Sequence, residues 1–356
     1  MEQKSVLIGM SGGVDSSVAA ALLKEQGYHV IGATMRLWTY SDSCNMKHEG
    51  CCAESAVEDA RRVCDKLGID FYVMNFKDMF KDKVVDYFVD EYIHGRTPNP
   101  CIACNKYLKF DALLKKALAM GIDYVATGHY AKIEKGEDGK YILRASEAVK
   151  KDQSYVLYNF TQEQLAHTLM PLGGYNKDWV RQKAEELGLG VAHKPDSQEI
   201  CFVEDDDYAK FIIDYSGYKP KEGDILDVNG NVIGKHRGLI YYTIGQRKGI
   251  GAYGRPMFVM KIDAENNTIT LGEKGMEFSN ELTAYDVNFV SGEFPKENML
   301  ITAKVRYQAP PAAAMLCPQK DGTVKLMFPE PQRAVTPGQA VVFYDGDIVL
   351  GGGTVL

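Results

Sequence analysis

The stretch GMSGGVDSS, residues 9–17, decides how this chain folds. It follows SVLIGM (5–10), a short apolar run that reads as a strand. It opens SSVAAALLKEQGY (16–28), which reads as a helix closed by Gly27. Gly12 and Gly13 permit a tight turn and close backbone approach. Ser11, Ser16 and Ser17 add hydroxyls, and the helix start adds N–H groups and a partial positive charge. Strand, glycine turn and helix together make an anion cradle. The stretch lacks the Gly-Lys-Ser/Thr ending of a Walker A loop and the G-x-G-x-x-G of a dinucleotide fold.

Working outward, strand and helix signals alternate. HVIGATMRLW (29–38), IDFYVMNF (69–76) and IDYVATGHY (122–130) read as strands. Residues 53–67 read as a helix with Ala56, Ala60, Val63 and Leu67 on one face and Gly68 as its stop. Further helices are expected over 80–93, 108–119 and 178–187, and further short strands in YILRASEA (141–148) and SYVLYNF (154–160). This alternation predicts an α/β domain with a doubly wound parallel sheet. Beyond about residue 205, Gly and Tyr become frequent and helices scarce. KPKEGDILDVNGNVIGKH (219–236) predicts a hairpin turning at Asn229-Gly230. From about residue 281 the pattern alternates, predicting a small antiparallel barrel or sandwich. The expected units are therefore 1–204, 205–280 and 281–356.

The 356 residues are 45% hydrophobic and 25% charged, the balance of a soluble globular protein of two or three domains. No apolar run is long enough to span a membrane, and MEQKSVLIG has no basic lead and apolar core of a signal peptide. A cytoplasmic location is expected, where the eight cysteines serve as buried, metal-bound or catalytic groups rather than as staples. The net charge of −7 alone argues against nucleic acid. Yet residues 235–261 carry six Lys or Arg and no acid, leaving −13 for the remainder. That basic island, interleaved with Tyr241, Tyr242 and Tyr253, suits RNA phosphates and unstacked bases.

TPNPCIACNK (97–106) sets Cys101 and Cys104 three residues apart behind two prolines. Alone it fits a redox pair, metal ligands, a nucleophile with a neighbour, or two buried thiols. Cys201, alone, reads as a buried strand cysteine, and His129 as a strand-end histidine. Cys44, Cys51 and Cys52 lack a second pair at zinc-ligand spacing and are expected in loop or core roles; Cys64 and Cys317 are expected to be structural.

The glycine stretch resembles the pyrophosphate loop of the ATP pyrophosphatase superfamily. The chain further resembles the tRNA-specific 2-thiouridylase family in ATMRLW (33–38), NPCIACNKYLKF (99–110), ATGHYA (126–131), KDQSYVLY (151–158), KPDSQEICF (194–202), GLIYYTIGQRKGIG (238–251), VRYQAPP (305–311) and TPGQAVVFY (336–344). These matches are collinear and span nearly the whole chain. The resemblance implies a nucleotide-binding domain, a small central tRNA-binding domain and a C-terminal β-barrel. It implies an enzyme that uses ATP and Mg²⁺ to adenylate the 2-oxygen of the wobble uridine of tRNAs for Lys, Glu and Gln. Sulfur would then come from a cysteine persulfide charged by a cysteine desulfurase or relay protein, giving 2-thiouridine, AMP and pyrophosphate.

By the same resemblance, Cys104 is the nucleophile and Cys201 the persulfide carrier, the two forming a transient disulfide. Gly9, Met10, Ser11, Gly12, Gly13, Val14, Asp15, Ser16, Met35 and Gly128 would bind ATP, with Asp15 helping to hold Mg²⁺. Asn99, Pro100 and Cys101 would meet the target base. His129, Lys151, Asp152, Gln153, Arg306, Tyr307 and Gln339 would touch tRNA. Many members of the family carry Asp where this chain has Cys101. The substitution leaves Cys101 either an auxiliary thiol or, with Cys104 and Cys201, the third ligand of a [4Fe–4S] cluster. An amidating ligase of the superfamily, such as an argininosuccinate synthase, needs no cysteine pair. A non-enzymatic tRNA scaffold needs no pyrophosphate loop.

Overall fold

A computed structural model describes residues 3–38, 54–195, 200–203 and 206–356. Cys44, Cys51 and Cys52 lie outside these residues, as do the middle residues of KPDSQEICF.

A parallel sheet forms the first layer. Its strands are β1 (Ser5–Gly9), β2 (His29–Arg36), β3 (Asp70–Asn75), β4 (Tyr124–Ala126) and the two-residue β7 (Thr168–Leu169), in the order β3-β2-β1-β4-β7. Val6, Leu7 and Ile8 of β1 are wholly buried because both faces of this central strand are covered. One cover is α1 (Val14–Glu25), an alanine-rich helix that packs closely, ending at Gly27 with φ +88°. Another is α2 (Glu54–Leu67), which buries Ala56, Ala60, Val63 and Cys64. Cys64 was not expected on that face. It packs against Gly32 of β2, where a Cβ would come within 2.6 Å of its sulfur.

The sheet winds outward from β1 through β2 to β3, and then β4 adds on the other side of β1. The β1/β4 boundary is thus the topological switch point, where such sheets bind ligands at their carboxyl edge. The glycine stretch leaves β1 there, and Thr127–Tyr130 leaves β4 beside it.

The helix expected from residue 108 begins eight residues earlier, and one continuous helical stretch spans 100–119. Asn99 caps it, its Oδ1 accepting from the Cys101 and Ile102 amides at 3.1 and 3.3 Å, and Pro100 sits at the first helical position. Residues 104–112 form wide, π-type turns. SYVLYNF is not a strand: Ser154–Leu157 is a 3₁₀ turn that buries Tyr155 and Leu157, and Asp152 accepts from the Ser154 amide and hydroxyl. The hairpin β5–β6 (Ala131–Lys135, Tyr141–Ala145) follows β4.

In the central part, a helix at Tyr208–Ser216 precedes the strands β8 (Gly223–Leu226), β9 (Val232–His236), β10 (Met257–Asp263) and β11 (Thr268–Glu273). Their order is β10-β11-β8-β9, and β8–β9 is the expected hairpin, with Gly230 at φ +86° in its turn. Ile225, Tyr242, Val259, Ile269 and Leu271 make its core. Tyr242 is therefore a core ring rather than a stacking surface.

The remaining strands are β12 (Phe278–Phe289), β13 (Met299–Lys304), β14 (Ala312–Pro318), β15 (Val324–Arg333), β16 (Ala340–Asp345) and β17 (Ile348–Val355). They run β12-β15-β14-β13-β16-β17 and close through a β12–β17 pairing into a six-stranded antiparallel barrel. Leu316, Leu326, Val341 and Phe343 fill it. β6 pairs with β17 at Arg144 and Ile348, so the hairpin of the first domain extends the barrel sheet and joins the two.

Candidate active site at the switch point of the parallel sheet

Two groups of residues meet at the β1/β4 edge. The first is the glycine stretch. Ser16 Oγ accepts from the Ser11 amide and donates to the Gly13 carbonyl, each at 3.2 Å, while Ser17 Oγ donates to the same carbonyl at 2.8 Å. These bonds close the turn from within. The N-cap of α1 is Gly13, and no side chain caps it. The first amides of α1 therefore keep their donors for an anion. Gly12 sits at φ +71°, where a Cβ would be 2.3 Å from the Ala56 carbonyl oxygen. Gly128 lies flat on the same helix start, and a Cβ there would be 2.7 Å from the Ser16 amide nitrogen.

Of the expected nucleotide contacts, Gly9 to Ser16 and Gly128 are brought together in this way. Met10 and Val14 are buried in the core beneath the loop, and Met35 packs half-buried near the carboxyl end of β2. Asp15 holds Lys177 Nζ at 2.8 Å from both carboxylate oxygens and accepts from the Tyr130 hydroxyl at 2.7 Å. Its carboxylate is thus engaged by a cation of the chain itself. Lys194 reaches back to the loop, donating to the Gly12 carbonyl at 3.1 Å and to Asp59 at 2.9 Å. Sequence reading assigned no role to Lys177, Tyr130 or Lys194. Tyr130 and Lys194 lie in stretches that carry the family resemblance, but Lys177 has no local signal.

The second group surrounds the start of the cysteine helix (100–119). Cys101 is exposed in its first turn, and Cys104, one turn on, is 8% exposed. Gln339 Nε2 donates to the Thr97 carbonyl at 2.8 Å, and the Thr97 amide donates to the Pro337 carbonyl, so a barrel loop holds the proline segment. Asn105 Nδ2 donates to the Val156 carbonyl at 3.0 Å, tying this helix to the 151–158 segment. Tyr307 donates to the Asp152 carbonyl at 3.1 Å. Burial pushes its phenol pKa up, the Asp152 charge adds to this, the Lys151 charge opposes it, and Cys101 lies close enough to act on it as well. Cys101, Asp152 and Tyr307 therefore share one neighbourhood, with Lys151 beside them. Arg306 donates through its guanidinium to the Ile244 and Ala334 carbonyls and to Thr336, which braces the turn before β10 on the barrel.

Residues 127–130 join the two groups. His129 takes a 2.8 Å hydrogen bond with Thr127 Oγ1 and lies 5.8 Å from the Phe110 ring of the cysteine helix. Burial holds its pKa well below the ordinary value, with the Lys109 charge acting in the same direction, so the imidazole is neutral at neutral pH. Tyr130 exchanges backbone and side-chain hydrogen bonds with Gln153, at 2.9 Å and 3.0 Å.

Cys201 is exposed, but Phe202 after it is buried against Phe80 and Phe88, with ring centroids at 5.6 and 5.3 Å. Phe202, Cys104 and Ile102 all belong to one extended core. The two cysteines are 97 residues apart in sequence. Among the described residues, no group of three His, Cys, Asp or Glu is placed to hold a metal ion. Among the described residues, Cys101, Cys104 and Cys201 are not placed as a ligand triad for a [4Fe–4S] cluster. The basic island is partly neutralised: Lys235, Arg255 and Lys261 pair with Asp224, Glu273 and Asp263. Arg247 and Lys248 remain exposed.

Profiles of known families match the chain in three consecutive blocks. They are a tRNA methyl transferase HUP domain over residues 4–205, a tRNA methyl transferase PRC-barrel domain over 209–273, and an aminomethyltransferase beta-barrel domain over 279–355. The tRNA-specific 2-thiouridylase MnmA of Acetivibrio thermocellus is 59% identical over 100% of both chains. The chain belongs to the tRNA-specific 2-thiouridylase family. A second 2-thiouridylase, from Clostridioides difficile, is 58% identical over 99% of this chain and 98% of its own. In the fold of this 2-thiouridylase family member, no helix among the described residues is long and apolar enough to cross a membrane.

Proposed function

We propose that the chain adenylates the 2-oxygen of a tRNA wobble uridine at the glycine stretch and replaces it with sulfur at the cysteine helix. Membership of the family makes it a transferase that 2-thiolates tRNA uridine. The observation that carries the finer reading is the joint at the switch point. An anion cradle with free helix amides is connected, through Gly128–Tyr130, to the helix that bears Cys104.

The uridine O2 attacks the α-phosphorus of ATP and pyrophosphate leaves onto the α1 amides, which stabilise its charge. AMP is now the leaving group at C2. The terminal sulfur of a Cys201 persulfide attacks C2 and AMP departs. The Cys104 thiolate then attacks the Cys201 sulfur, the S–S bond to the transferred atom breaks, and the sulfur stays on C2. A Cys104–Cys201 disulfide results, and an external thiol reduces it for the next turn. Neutral His129 suits a hydrogen bond to uracil, since it brings no charge into the pocket. Asp15 is already engaged by Lys177, so Mg²⁺ would arrive on the ATP phosphates and not in a cage supplied by the chain. A cysteine desulfurase or sulfur-relay protein supplies the persulfide.

The test is nucleoside mass spectrometry after incubation with unmodified tRNA, ATP and a desulfurase system. The wild-type chain yields 2-thiouridine and pyrophosphate in equal amounts. An amidating ligase would leave the uridine untouched, and a scaffold would leave the ATP.

A further inference from the structure

Lys177 and Asp15 meet where two helices begin. The helix Lys177–Glu186 lies along α1 and runs the same way, since Lys177 pairs with Asp15 at one end and Lys183 with Glu25 at the other, at 2.8 and 2.9 Å. Val180 and Ala184 share a core with Val18 and Leu22 between those ends. The two helices thus bring their positive ends to the same edge of the sheet, each equivalent to about +0.5 of an elementary charge.

A lysine at the first position of a helix stands against that dipole, so local preference does not place it there. Choices that break a local rule concentrate at functional sites. The Lys177 side chain is only 12% exposed, and its ammonium lies on both carboxylate oxygens of Asp15. Asp15 has a second donor in the Tyr130 hydroxyl. Tyr130 is buried, and Gln153 fixes its backbone. The carboxylate therefore keeps a partner when the ammonium moves away, and the flexible four-carbon stem of a lysine permits that movement. Nearby, Lys194 is balanced by Asp59 as Lys177 is by Asp15. What remains is the field of the two helix ends, about +1 in sum, which draws an anion to the cradle.

Resting on the proposed adenylation at the glycine stretch, we propose that Lys177 is a catalytic residue whose ammonium is stored on Asp15 and passes to the pyrophosphate as that group leaves. When the uridine O2 attacks the α-phosphorus, the bond from that phosphorus to the bridging oxygen breaks, and its electron pair stays on the pyrophosphate. The ammonium meets the charge so formed and gives up no proton. Storage on Asp15 keeps the cation beside the cradle before ATP arrives, so little reorganisation is needed at the moment of reaction.

A lysine that merely braced the turn through Asp15 would make a different prediction for Asp15 itself. Calorimetry with inorganic pyrophosphate and with AMP, both without Mg²⁺, separates the two roles in wild type, Lys177→Met and Asp15→Asn. Lys177→Met should weaken pyrophosphate binding about tenfold or more, the worth of a charged hydrogen bond, and leave AMP affinity unchanged. Asp15→Asn removes the competing carboxylate and should leave pyrophosphate binding as tight as in wild type or tighter. Retained pyrophosphate affinity in Lys177→Met overturns the proposal. So does an equal loss in both variants, which is the signature of a brace, and so does a loss of AMP affinity as large as that of pyrophosphate. Should Lys177→Met fail to fold, Asp15→Asn decides alone: unchanged or tighter binding supports the proposal, and weaker binding overturns it. A wild-type chain that binds neither ATP nor pyrophosphate removes the parent reading and this one with it. A wild-type chain that binds both and forms 2-thiouridine, beside a Lys177→Met chain with wild-type pyrophosphate affinity, overturns this inference alone.

Discussion

His129 shows how one residue's surroundings fix its chemistry. Its imidazole is mostly buried near the Lys109 charge, and its pKa is held well below 6.5. As pH falls through 6.5, the unfolded chain takes up a proton there and the folded chain does not. The stability is therefore full above that pH. It declines below it by about 1.4 kcal/mol per unit until the folded pKa is reached. Urea unfolding between about pH 7 and about pH 5 should show that this component is missing in His129→Gln. An unchanged slope in the variant would place the burial elsewhere. Cys64 is the opposite kind of cysteine to those of the site. Burial, helped by Asp65, pushes its thiol up to about 12, so it stays protonated and packs against Gly32 as an apolar group. Its helical setting was legible from the sequence, but its partner across β2 was not, because no local pattern marks a glycine that makes room for a sulfur.

At the scale of elements, the glycine stretch works by what it leaves undone. Gly13 provides no cap, and Gly128 keeps the first turn of α1 uncovered. Gly128→Ala would set a methyl group about 2.7 Å from the Ser16 amide. ATP binding, measured by calorimetry, should fall at least tenfold while the far-ultraviolet dichroism is kept. Retained affinity would move the nucleotide away from this helix start. The cysteine helix is the reverse case, a helix made by its cap. Asn99→Ala should cost about 1 kcal/mol of stability, with Asn99→Asp restoring most of it. Asn-Pro before an apolar run is a legible start signal, yet two prolines in four residues also read as a turn, and the helix was expected only from residue 108. SYVLYNF had the β-branched and aromatic content of a strand. Asp152 bonding to Ser154 and burial of Tyr155 and Leu157 override it.

At the scale of the whole molecule, the fold class was readable because the hydrophobic period changes along the chain, from helix and strand in turn to strand alone. What joins the parts was not readable, since it rests on single long-range bonds. Examples are Gln339 on Thr97, Lys194 on Gly12, and Arg306 between Ile244 and Ala334. Arg306 carried a resemblance to a tRNA contact, and the structure gives its guanidinium three bonds within the chain. Arg306→Leu should therefore lower stability by about 2–3 kcal/mol, seen as a lower denaturant midpoint. An unshifted midpoint with weakened tRNA binding would make the RNA its main partner. The long-range packing also places Phe202, next to the exposed Cys201, in the same extended core as Cys104. The central claim is that these two thiols pass one sulfur to an adenylated uridine. The most direct measurement is 2-thiouridine, by mass spectrometry of digested tRNA, from Cys104→Ser and Cys201→Ser chains given ATP and a desulfurase system. Both variants should release no more 2-thiouridine than a reaction without enzyme while still binding ATP; wild-type levels of 2-thiouridine from both would contradict the account.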